Sequence, residues 1–90
     1  MLTHVNITIY GKVQGVFFRH FAKIKAMALE INGFVKNADN GSVYIEAESQ
    51  KEKLDDLIDW CRHGPLLAKV GDLKIEFSDN IKKFKDFVIK

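Results

Sequence analysis

Val5-Asn6-Ile7-Thr8-Ile9-Tyr10, running directly into Gly11-Lys12-Val13-Gln14-Gly15-Val16-Phe17-Phe18-Arg19, is the stretch from which the fold is read. Its first six residues alternate apolar and polar, the period-two pattern of a strand with one buried face. Gly11 and Gly15 bracket a short loop. From about Phe17 to Ile31 nothing breaks a helix, and Asn32-Gly33 supplies a stop signal.

Outward from this unit the same periods recur. Phe34-Val35-Lys36 starts a second strand, Asp39-Asn40-Gly41 is a hairpin turn, and Val43 to Glu48 alternates again as a third strand. A helix from Ser49 to about His63 carries Leu54, Leu57, Ile58 and Cys61 as one apolar stripe, and Gly64-Pro65 ends it. Val70 to Phe77 and Phe84 to Ile89 read as further strands, joined by a polar turn around Ser78-Asp79-Asn80. The order is β-α-β-β-α-β with a short fifth strand. A single domain over residues 1–90 leaves room for only one layer of helices. The expected fold is therefore α+β: a ferredoxin-like two-layer sandwich, with an antiparallel sheet and both helices on one face. Enzymes, RNA binders and sensors share this plan, so it decides nothing about function.

Composition narrows the classes. Hydrophobic residues make up 47 % of the chain, enough for a packed core and outside the disordered regime. A formal charge of +2 is too mild for a nucleic-acid or membrane surface, and Lys82, Lys83, Lys85 and Lys90 read as a solvated face. The third strand presents Tyr44 on the same face as Glu46 and Glu48, a poor platform for a polyanion. Cys61 is the one cysteine, which rules out an internal disulfide and suits a reducing compartment. With no apolar run of ~20 residues and no signal-peptide pattern, the expected location is the cytoplasm.

The Gly11–Arg19 loop has the makings of an anion trap. Unpaired N–H groups at a helix start converge on one point, the helix dipole adds positive potential, and glycine allows close approach. Arg19 can grip a phosphate bidentately. Its place in the first turn opposes the dipole, a local misfit typical of functional residues. On spacing alone, Arg19 as a plain surface charge and glycines that merely shape a turn remain open alternatives.

Gly11-Lys12-Val13-Gln14-Gly15-Val16, leading through an aromatic residue to Arg19, resembles the first signature of the acylphosphatase family. Gly33-Phe34-Val35-Lys36-Asn37, followed after three residues by Gly41-Ser42-Val43, resembles its second. Gly64-Pro65 also falls where the family often carries Gly-Pro. Three positions depart from the pattern: Ser49 stands in place of a closing Gly, Ala22 in place of a common hydroxyl residue, and Ala38 in place of a frequent Thr.

The resemblance implies metal-independent hydrolysis of small-molecule acyl phosphates to a carboxylate and inorganic phosphate, without a cofactor. Arg19 and the backbone N–H groups of Gln14, Gly15, Val16, Phe17 and Phe18 would hold the phosphoryl group. Asn37 would orient the attacking water. Read without the resemblance, Asn37 is a turn-initiating residue. A binding module that has lost turnover and a domain of a larger enzyme are the weighed alternatives.

Other chemistry-bearing residues read as structural. His4, His20 and His63 have no ligand spacing, and Asp55, Asp56 and Asp59 lie on a solvated helix face. His20 points about 100° away from Arg19 on the helix. Cys61 belongs to the apolar stripe, and Lys36 faces away from Asn37 across the strand. On the first helix Phe21, Ala26 and Leu29 are expected to face the sheet. Ile24, Met27 and Ala28 face outward, a patch through which an otherwise monomeric chain has some scope to self-associate.

Overall fold

The computed structural model describes residues 1–90. The elements are β1 (Thr3–Lys12), α1 (Phe18–Ala28), β2 (Asn32–Asn37), β3 (Val43–Ser49), α2 (Lys51–Cys61), β4 (Lys69–Ser78) and β5 (Phe87–Ile89). They form one five-stranded sheet in the order β4-β1-β3-β2-β5. The alternation read at Val5–Tyr10 does what it implies: Val5, Ile7 and Ile9 are fully buried under the helices. Ile7 is flanked by Ile45 of β3 and Ile75 of β4, its direct partners in register. α1 packs over β2 and β5, and α2 over β1 and β3. Eighteen buried residues make a single contiguous core. No helix is long and apolar enough to cross a membrane.

One detail of the expected sheet is corrected. Three pairings are antiparallel, but β2 and β5 run parallel, so the sheet is mixed. β5 is reached by a crossing from β4 at the opposite edge, which brings the chain back in the direction of β2.

Boundaries moved for identifiable reasons. α1 ends at Ala28 rather than Ile31, because Glu30 takes a left-handed conformation (φ 59°) and Ile31 N–H bonds back to Ala26 O at 2.8 Å. That is a Schellman-type stop made by Glu instead of Gly. Asn32 and Gly33, read as the stop, already belong to β2. Ser49 does not start α2 but closes β3 opposite Thr3, and Gln50 is the helix N-cap in extended conformation. On α1 the buried residues are Phe18, Ala22 and Ala26. The small side chains let the helix sit close to the sheet. Leu29 packs against the core as expected, whereas Phe21 is exposed.

Phe84 departs furthest from its expected strand. It folds onto the open face of the sheet, its ring stacked 6.0 Å from His4 and edge-on to Phe34 at 5.9 Å. A buried carboxylate holds it there: Glu48 accepts from the backbone N–H of both Lys82 and Phe84 and lies 2.8 Å from His4 Nδ1. Beside it, Lys82 Nζ donates to Glu46 Oε1 at 2.9 Å. The two acids and Lys82, read as solvated, thus form a polar latch for the β4–β5 crossing.

Candidate active site

The loop between β1 and α1 is shaped by two left-handed residues, Gly15 (φ 74°) and Phe17 (φ 64°, ψ 23°). Alternating left-handed conformations gather successive N–H groups into an anion-binding concavity. Glycine adopts this geometry freely. Phe17 does so at a cost of about 1 kcal/mol, strain of the kind that collects at functional loops. No protein acceptor takes the backbone N–H groups of Gln14 through Phe18, no side chain caps α1, and its first turn holds no acid.

Asn37 ends β2 opposite Val43. Strand alternation turns it to the helix side with Val35, while Lys36 faces the other way, its Nζ 5.6 Å from the centre of the Tyr44 ring. The two signature segments are joined by a side chain whose role the sequence did not reveal. Gln14 Nε2 donates to Ala38 O at 2.8 Å and to Ser42 O at 2.9 Å, tying the loop to the β2–β3 hairpin. Within that hairpin Asn40 Oδ1 accepts from the backbone N–H and the hydroxyl of Ser42.

A cleft of about 340 Å³ lies where these parts meet, lined by Gly15, Phe17, Phe18, Arg19 and Asn37 together with Val13, His20 and Ile89. Gln14 and Val16 do not line it. The Val16 side chain is core, and that of Gln14 is spent on the hairpin. Arg19, half-buried at the cleft, donates from Nη1 to Lys90 O at 3.3 Å. His20, the next residue round the helix, also lines the cleft, its ring 5.0 Å from that of Phe21. Ile89 was also missed, because its proximity comes from the parallel β2–β5 pairing, in which it sits opposite Val35.

Other candidate groups lie elsewhere. His4 is buried on the open face, and Cys61 is fully buried, with burial pushing its thiol up to about 12. Ser49 is buried at the end of β3 and Ala22 lies in the core, while Ala38 contributes to the site through its main-chain oxygen.

Comparison with known proteins covers the chain nearly end to end. A family model for acylphosphatase matches residues 5–89. An acylphosphatase of Geotalea uraniireducens (strain Rf4) is 41 % identical over 89 residues, spanning 99 % of this chain and 98 % of that protein. The crystal structure of acylphosphatase from Bacillus subtilis superposes with a TM-score of 0.94 at 33 % identity, spanning 100 % of this chain and 99 % of the other. Full-length HypF, in its phosphate- and nucleotide-bound form, contains a similar segment at TM-score 0.92 and 28 % identity, spanning 100 % of this chain and 12 % of that one. Matched along nearly its whole length in both sequence and fold, the chain belongs to the acylphosphatase family.

Proposed function

We propose that this chain hydrolyses the carboxyl-phosphate bond of acyl phosphates, with the phosphoryl group held by Arg19 and the N–H groups of Gln14 to Phe18, and the water oriented by Asn37. Membership of the family makes the reaction the hydrolysis of an acyl phosphate. The observation behind the division of labour is that loop, arginine and asparagine line one cleft.

The chemistry suits these parts. Water oxygen attacks phosphorus, and the bond from phosphorus to the acyl oxygen breaks. The electron pair leaves with the carboxylate, which needs no protonation, and the water's proton passes to a phosphate oxygen. Phosphoryl transfer then asks the protein mainly for positioning and for donors at the equatorial oxygens. Backbone N–H groups and a guanidinium supply the donors. An amide can accept one hydrogen bond from water and donate another, aligning it without first removing a proton. These donors grip only the phosphoryl group.

The same reading has residues 1–90 acting as one domain in a reducing compartment such as the cytoplasm. Titration of inorganic phosphate into isotope-labelled protein tests the cradle: the amide resonances of Gln14 to Phe18 should move together and saturate. Movement confined to lysine-rich surfaces such as Lys82–Lys85 would overturn the assignment.

A further inference from the structure

Phe18 connects two surfaces. The residue lines the phosphate cleft, and its buried ring meets Trp60 edge-on with centroids 5.2 Å apart and lies against Gly64. Trp60 in turn lines a second groove, of about 430 Å³, between α1 and the segment after α2. Its apolar walls are Phe21, Ile24 and Ala28 on one side and Trp60, Pro65 and Leu66 on the other, and its one charged lining residue is the basic Lys25.

This groove neighbours the site: His20 of the cleft and Phe21 of the groove have ring centroids 5.0 Å apart. Phe21, Ile24 and Ala28 are spaced three and four residues apart, so they form one stripe on α1, and Phe17 stands at the helix N-cap before it. Phe17 lines the phosphate cleft ahead of this stripe, and the apolar residues from cleft to groove are open to water: Phe17 is 67 %, Ile24 50 % and Leu66 98 % exposed. Exposed apolar residues gathered in this way mark a contact surface. From Phe17 to Ile24 the helix rises about 10 Å, the reach of an extended acyl chain of about eight carbons.

We propose that the acyl half of the substrate lies on this stripe, so that the chain selects acyl phosphates with medium-length apolar chains over acetyl phosphate. The proposal rests on the reading of the phosphate cleft given above. An apolar chain held at its phosphate end covers Phe17, Phe21, Ile24 and Leu66, whereas an acetyl group reaches none of them beyond Phe17. The absence of an acid among the groove's lining residues leaves the approach of an anion unopposed.

Alkylphosphonates, which carry the phosphoryl head on an uncleavable bond, test this by calorimetry. Octylphosphonate should bind the native chain on the order of tenfold more tightly than methylphosphonate. That ratio should shrink toward one in Ile24→Gln and in Leu66→Ser, and persist in Met27→Gln, which alters α1 outside the groove. Equal affinities in the native chain overturn the groove and leave the phosphate cleft standing. Failure of both phosphonates to bind overturns the cleft and the groove with it. A ratio lost equally in Met27→Gln overturns the assignment to the stripe. Sedimentation that shows a dimer unaffected by octylphosphonate but dissociated by Ile24→Gln would make a second copy the occupant.

Discussion

The side-chain amide of Gln14 donates at 2.8 Å to the main-chain oxygen of Ala38, the residue that follows Asn37. With its second bond to Ser42 it couples the loop assigned to phosphate to the strand end assigned to water. The spacing between this loop and the end of β2 is therefore set by a side chain that does not line the cleft.

Gln14→Ala should cost about 1–2 kcal/mol of stability, since two half-buried carbonyls lose a donor. It should also lower kcat for acyl phosphate hydrolysis more than it raises KM, because the backbone cradle survives while its register to Asn37 loosens. Urea unfolding and steady-state kinetics check both parts. A purely structural role would instead give a protein of unchanged kcat at temperatures where it is fully folded.

Gly64 has φ 68°, and a Cβ there would fall 2.6 Å from Cε2 of Phe18. Gly64→Ala should destabilise the chain by about 1–3 kcal/mol through strain and overpacking. Because Phe18 lines the cleft, affinity for inorganic phosphate should fall as well. Thermal shifts recorded with and without phosphate separate the two effects, and a variant as stable as the native chain would contradict the contact.

The open-face latch gives acid sensitivity. Burial pushes the carboxyl of Glu48 up, but the backbone N–H of Lys82, His4 and the backbone N–H of Phe84 outweigh it, so its pKa lies below the ordinary 4.5. Glu46 is lowered likewise, burial being overcome by bonds from Lys82 and Tyr44 and by the charges of Lys82 and His4. Groups with lowered folded pKa values bind fewer protons folded than unfolded. Their stabilisation is complete above 4.5 and is lost as pH falls through the lowered values. Urea midpoints compared at about pH 7 and about pH 3 should show a smaller acid loss in Glu48→Gln than in the native chain. Equal losses would remove Glu48 from the account.

Cys61 should be silent in the folded state. Burial raises its thiol to about 12, so almost no thiolate exists at neutral pH. A thiol reagent should label it only in denaturant, and Cys61→Ala should keep full activity. Rapid labelling of folded protein with loss of turnover would reopen it as a nucleophile.

Much of this was legible in the sequence because it rests on local periods. Val5–Tyr10 and Val43–Glu48 alternate, and both occupy strands in the structure. Gly15 and Arg19 stood out because glycine at a strand-to-helix turn and arginine at a helix start each carry a physical signal, whereas their roles, and Asn37 altogether, came only from the family resemblance. What escaped depends on tertiary contacts. The helix stop at Glu30 uses a left-handed glutamate, which no propensity indicates. Phe84 left its strand because Glu48, 36 residues away, takes its N–H. Phe21 yielded its place on the sheet to Ala22 because close helix–sheet packing favours the smaller side chain. The Gln14 bridge was hidden for the same reason, since Ala38 and Ser42 lie 24 and 28 residues away.

The most direct test of the central claim is hydrolysis of benzoyl phosphate in excess EDTA by the native chain, Arg19→Ala and Asn37→Ala, with inorganic phosphate binding measured alongside. The native chain should turn over, and both variants should lose on the order of a hundredfold or more in kcat. Arg19→Ala should also lose phosphate affinity, while Asn37→Ala keeps it. Substantial turnover by either variant, or loss of phosphate binding in Asn37→Ala alone, would contradict the division of labour between the arginine that holds phosphate and the asparagine that holds water.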